Sequence, residues 1–347
     1  MPYIAIVLAI WLQTDTTVQG RTSLQRGYSE YASGHFAAAE RLLAEALGQI
    51  PQDNAALRAK VLGDLGNVYT EQEEFSTAER AYSQSLSILQ KLSDTNNSAL
   101  MLQNLGVLYS LQGRNDEALQ AVVQALKLSE STMPADPAIH AQVLVGLGIV
   151  QYRRNNTRQA EKTFNEALGI SRTLKVPFDA TALLNNLGAL YLRQHKFKQA
   201  EAVLRRALQL KEADKGVSDP ALTPELNALA ATYMATGKFT EAEEQCERSL
   251  KILESRRPDF APAIARVLHY LSYVYVKLGR NTDSEMALGE AAKIAHDHLS
   301  KDSEMAQIVE DYSNLLQRRG QKQEAANLRA QVKHARAIAD LVVRTHP

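Results

Sequence analysis

The chain has 347 residues, with 39 lysines and arginines against 39 aspartates and glutamates, and a single cysteine. A formal net charge of zero argues against a nucleic-acid partner held by a general positive field. One cysteine excludes an internal disulfide and any cysteine-built metal site, and Cys246 reads as a buried apolar residue of a helix.

Taken in order, the chain opens with an apolar run from Ile4 to Leu12 around Trp11. The run is shorter than the roughly 20 residues that span a bilayer, so no transmembrane segment is expected in the mature chain. It fits the apolar core of an export signal, with Val18 and Gly20 as small residues before a cut near Arg21, although no Lys or Arg precedes it. A cleaved signal over 1–20 and a short helix capping the next element both stay open. An exported setting, periplasmic or secreted, is favoured over a cytoplasmic one.

From 21 to 335 one unit repeats, shown most clearly by Thr181 to Glu212. Leu184, Leu187, Leu190 and Tyr191 recur on one helical face, then a polar turn runs from Arg193 to Lys196, then Phe197, Ala200, Leu204, Ala207 and Leu208 mark a second helix. The leucine column continues through Leu65, Leu105, Leu147, Leu187, Leu229, Leu271 and Tyr312, at steps of 40, 42, 40, 42, 42 and 41. Glycine follows it at Gly66, Gly106, Gly148 and Gly188, and tyrosine at Tyr69, Tyr109, Tyr191, Tyr233 and Tyr275, with Gln151 as an exception. A small residue then opens each second helix: Ala78, Ala118, Ala160, Ala200, Ala242, Ser284 and Ala325. Phe36 to Leu47 supplies the second helix of an earlier copy, with Gly27 lying 39 residues before Gly66. About eight helical hairpins are expected.

Mid-helix glycine costs about 1 kcal/mol relative to alanine, so the column implies a steric need. Opposite Ala200 and Ala207, Gly188 would let two backbones approach closely. Prolines and other turn formers at Ser93 to Asn97, Met133 to Pro137, Lys175 to Pro177, Lys215 to Pro220 and Arg256 to Pro262 separate the hairpins. No longer linker interrupts them, so a single array is expected. Gln321 to Val343 reads as a closing helix, the part from 336 to 347 being its end and tail. Its alternative is an amphipathic segment for self-association.

These columns resemble the tetratricopeptide repeat (TPR), in the longer form of kinesin light chain and many bacterial proteins. The string LNNLGALYLRQHKFKQAEAVLRRALQL is close to that family's consensus, and Asp136-Pro137 and Asp219-Pro220 match its inter-repeat loops. The resemblance implies an all-α solenoid, a right-handed superhelix of about eight helix-turn-helix repeats whose first helices line a concave groove. It also implies that the Asn pair matched by Asn185 and Asn186 contacts bound peptide.

Repeat register places Asp64, Asn67, Gln103, Asn104, Arg153, Asn185, Asn186, Arg193, Asn227, Arg266, His269, Tyr273 and Lys277 on that wall. Asparagine offers both a donor and an acceptor to an extended peptide, and Arg193, Arg266 and Lys277 add a preference for carboxylates. Hydration of the wall is the plain alternative. No phosphate loop, HExxH or GxSxG string occurs, and His296 and His298 are poorly placed to share a metal. Nor does an early first helix carry the Lys and Asn four apart of a chaperone-tail clamp. The expectation is therefore a non-catalytic interaction scaffold, a monomer without cofactor, metal or small-molecule substrate, binding a protein or peptide in its groove. The alternative is an assembly subunit that self-associates through its terminal repeats.

Overall fold

The computed structural model describes residues 18–32, 34–131, 136–174, 180–255, 260–299 and 303–345, without the side chains of 18–21, 32, 303 and 338–345. The apolar run from Ile4, the stretches at 133–135, 175–177 and 256–259, and the side chains of Ile338, Leu341 and Val342 lie outside the described residues. The remainder is helical, with no strand among the described residues.

Two compact units are distinguished, Met1–Gln194 and His195–Pro347. The first holds α1 (Val18–Ala32), α2 (Phe36–Gln49), α3 (Ala55–Glu71), α4 (Phe75–Lys91), α5 (Thr95–Leu111), α6 (Asn115–Ser131), α7 (Pro137–Arg153), α8 (Thr157–Ser171) and α9 (Ala180–Arg193). The second holds α10 (Phe197–Lys215), α11 (Thr223–Ala235), α12 (Phe239–Glu254), α13 (Ala261–Lys277), α14 (Asn281–His296), α15 (Ser303–Arg318) and α16 (Lys322–Thr345). In the first unit α1 pairs with α2, α3 with α4, α5 with α6 and α7 with α8 as hairpins, and in the second α11 with α12, α13 with α14 and α15 with α16; within each unit each hairpin packs on the next, with α9 against α8 and α10 against α11. This is the expected all-α repeat fold.

The helices stop where the backbone turns left-handed. Gly34, Glu73, Gly113, Asn155, His195, Gly237, Gly279 and Gly320 all have positive φ, each in the turn that joins a first helix to its second. The amide after such a residue closes back on the carbonyl five positions earlier, as in Glu74 to Tyr69 (2.8 Å), Arg114 to Tyr109 (2.9 Å) and Lys238 to Tyr233 (2.9 Å). This is the glycine-type stop that satisfies end carbonyls. The tyrosine column thus supplies the backbone acceptor of the turn as well as a side chain. The two Asp-Pro pairs work at helix starts: Asp136 accepts from Ala138 (2.9 Å) and Ile139 (3.3 Å), and Asp219 from Ala221 (2.8 Å).

The glycine column has a partner that the sequence reading does not name. A Cβ on Gly66 would lie 2.5 Å from the Tyr82 ring, one on Gly148 2.4 Å from the Phe164 ring, one on Gly106 2.5 Å from Val122, and one on Gly27 3.0 Å from Leu43. Each partner is sixteen residues later. Small residues do contribute, since the Ala118 carbonyl is 3.0 Å from the same Gly106 position. The main contact, however, is glycine under a large side chain of the second helix. Where the column holds Ala230, the residue sixteen positions on is Cys246, in the same buried cluster.

Candidate functional site: the first-helix face

Between hairpins the tyrosine column forms a clasp. The Tyr109 hydroxyl donates to Glu79 of the preceding hairpin (3.1 Å), Arg114 bonds the same carboxylate (2.7 Å), and its guanidinium lies 4.1 Å from the Tyr109 ring. In the second unit Glu201 receives Tyr233 (3.4 Å) and Lys238 (2.9 Å), while Arg280 covers Tyr275 (4.3 Å) and binds Glu243. Burial together with these acids pushes the tyrosine hydroxyls above their ordinary range.

In the first unit the first-helix face is largely committed to internal bonds. Asn67, expected on the wall, is 4% exposed and accepts from the Tyr82 hydroxyl (2.6 Å) and from Asn104 (3.3 Å). Gln103 is buried as well, because a Cβ on Gly146 would come within 2.2 Å of its Cγ, so it fills the place where α5 and α7 meet. Both are corrections to the register reading: the face is dry where neighbouring first helices touch. Asp64 is held by Tyr28 (2.8 Å) and Lys60 (3.0 Å). Arg153 and Arg193 are exposed but reach back to the end carbonyls of the preceding first helix, at Ser110 (3.1 Å) and Tyr152 (3.2 Å). A guanidinium there suits the negative helix end. Arg193 also bonds Asn155 and lies 5.0 Å from the Tyr152 ring. Asn185 and Asn186 are half-buried on α9.

In the second unit Asn227 turns into its own hairpin and accepts from Ser249 of α12 (3.1 Å). Arg266 pairs with Glu304 of α15 (2.7 Å). His269, Tyr273 and Lys277 lie together. His269 and Tyr273 border an open cleft of about 450 Å³ lined by Met234 and Ala235 of α11, His269, Tyr270 and Tyr273 of α13, and Asp311 of α15. His269 Nε2 is 3.0 Å from Asp311 Oδ2, and Gln307 donates to the other oxygen (3.0 Å). Tyr273 is 48% exposed, packs edge-on against Phe239 (6.4 Å), and carries the Lys277 ammonium 5.2 Å from its ring centre.

Asp311, Met234, Ala235 and Tyr270 are the lining residues that the sequence reading missed. The signal was present, for Asp311 and Tyr270 stand just before the leucine column, where Asp64 and Asn104 also stand. Elsewhere the described residues offer little chemistry. Cys246 is fully buried and its thiol is pushed up to about 12 by that burial. No group of three or more His, Cys, Asp or Glu that could hold a metal occurs among the described residues. None of the described helices is long and apolar enough to cross a membrane.

Hairpins of this length, stacked on tyrosine clasps and glycine contacts, define a tetratricopeptide-repeat protein. The model of the MalT-like TPR region matches residues 20–225, and that of the tetratricopeptide repeat matches 220–297. The chain belongs to the MalT-like TPR family. Among solved structures it is similar to the apo form of the quorum sensor NprR from B. thuringiensis (TM-score 0.61, 13% identity, 91% of this chain and 87% of that one). It is also similar to a Rap protein complexed with competence and sporulation factor (0.58, 18%, 85% and 77%). A third likeness is to kinesin light chain-like repeats of Podosopora anserina (0.51, 18%, 57% and 94%). The human protein O-mannosyl-transferase TMTC1 is 32% identical over 157 residues, which is 44% of this chain and 15% of that protein.

Proposed function

We propose that this chain is a non-catalytic scaffold that holds a segment of a partner protein against the first helices of its repeats. The observation that carries the reading is the cleft of the second unit, where Tyr273 stands half exposed beside Met234, Tyr270, His269 and Asp311. A half-exposed aromatic next to a concave, mostly apolar lining suits an anchor side chain. The Rap neighbour is a complex with competence and sporulation factor, so the same fold does accommodate a bound factor elsewhere. Asn104, Arg193 and Arg266, each bonded to an adjacent first helix, and Asn227, bonded within its own hairpin, are assigned the supporting role of holding the face in shape, while Asn185 and Asn186 on α9 keep the expected peptide-contacting role and His269 and Tyr273, with Lys277 beside them, form the contact in the cleft.

Self-association through the last repeat is the less favoured reading. In α16 the positions that are Tyr82, Leu86 and Leu89 in α4 are Arg329, Lys333 and Arg336. Arg329 folds back to Asn314 and Arg336 to Glu310, which gives the outer face a polar character. Light scattering across micromolar concentrations, combined with partner binding by His269→Ala/Tyr273→Ala and by Met286→Ala, tests the choice. The scaffold reading expects a constant mass and binding lost only in the double variant. A mass that grows with concentration, or binding untouched by the double variant, contradicts it.

A further inference from the structure

The register reading expects acidic ligand groups at Arg266, Lys277 and Arg193, but the charges of the cleft run the other way. Of its six lining side chains, Asp311 carries the formal negative charge and none is a lysine or arginine. Arg266 is bound to Glu304, and Arg193 belongs to the first unit. The Asp311 oxygens each accept one hydrogen bond, from His269 and from Gln307, and a carboxylate has lone pairs for about four. Room therefore remains for a further donor. Beside it stand the rings of Tyr270 and Tyr273 and the thioether of Met234. Burial keeps the Tyr270 hydroxyl protonated, so the floor adds no second anion. Lys277, 5.2 Å from the Tyr273 ring centre, shows that ring in contact with a cation already.

From this lining we infer that the cleft takes a lysine or arginine side chain of the partner segment, its charged head at Asp311 and its methylene stem along Tyr270, Tyr273 and Met234. The two chemistries fit together. An aliphatic stem covers apolar lining while the head keeps its hydrogen bonds, and a carboxylate gives the head a charged acceptor. An acidic anchor would instead meet Asp311 as a like charge. The inference rests on the scaffold reading and specifies its ligand.

The test uses the full chain and a library of random 12-residue peptides displayed on phage, followed by titration calorimetry of synthetic copies of the selected peptides. The selected set is expected to share one lysine or arginine, whose replacement by norleucine or citrulline weakens binding about tenfold or more. Asp311→Asn, with circular dichroism to show an intact fold, is expected to weaken binding similarly, and Asp311→Lys to shift selection toward peptides with Asp or Glu. Peptides that bind but carry an acidic anchor, or that are indifferent to Asp311→Asn and Tyr273→Ala, overturn this inference and leave the scaffold reading standing. Failure to select any peptide counts against both.

Discussion

Gly66 lies directly beneath the Tyr82 ring, at a distance that leaves no space for a methyl group: its missing Cβ would sit 2.5 Å from the ring edge. The tyrosine is held there from its other end, with its hydroxyl on Asn67. A residue that is poor for the helix is thus the one that lets the hairpin close, which is why local propensity and packing disagree at this column.

Replacing that glycine should therefore destabilise the protein even though alanine favours helix. Gly66→Ala or Gly148→Ala is expected to cost about 1–3 kcal/mol through overpacking, read as a lower urea midpoint. Phe164→Val in the Gly148→Ala background should recover part of the loss, giving a non-additive pair. Additive losses would mean that the ring is not the obstacle.

The turns permit a stabilising change. Glu73 and His195 take the left-handed conformation that glycine holds at the equivalent Gly113 and Gly237, at a cost of about 1 kcal/mol for an L-residue. Glu73→Gly is expected to raise stability by about 0.5–1 kcal/mol in thermal or urea unfolding, after allowance for the looser unfolded chain. Gly113→Ala should do the reverse.

Glu225 is 0% exposed and receives Lys211 of α10 at 2.8 Å. Removing the cation while keeping the side chain's bulk, as in Lys211→Met, takes the Lys211 charge away from a fully buried carboxylate and should cost about 3–5 kcal/mol. Lys211→Met/Glu225→Gln together should cost much less than Lys211→Met alone. Chemical denaturation of the three variants measures both terms.

Cys246, enclosed at the position that Tyr82 and Phe164 hold in other hairpins, should be inert to a thiol reagent in the native state. Its raised thiol adds to the steric barrier. Labelling by dithiobis-nitrobenzoate is expected only above the urea midpoint, and prompt labelling in buffer would contradict the burial.

Most of the architecture can be read from the sequence because a repeat states its own rule many times over. The leucine, tyrosine and alanine columns fix helix faces, and the left-handed turns fall at the same step, even where Glu73, Asn155 and His195 disguise them. Pairing across the hairpin was less legible. Matching glycine to alanine follows size, whereas the structure matches glycine to the largest side chain it can seat, as with Tyr82 and Phe164. The site was half legible. Register finds many of the outward positions, though not Met234, Tyr270 or Asp311, and cannot tell which are covered by the next first helix, as Asn67 and Gln103 are, or which carry out internal duties, as Arg153 and Arg193 do. The cleft needed one residue from each of three repeats, Met234, Tyr273 and Asp311, and no single copy of the unit displays that combination.

The central claim is that the first-helix face around Tyr273, rather than the outer face, receives the partner. Site-specific photo-crosslinking tests it most directly, with a benzoylphenylalanine at position 273 and a control at Met286, an exposed residue of a second helix. The account predicts a discrete covalent adduct from 273 that is lost with Asp311→Lys, and none from 286. Adducts from 286 alone, or equal adducts from both, would contradict it.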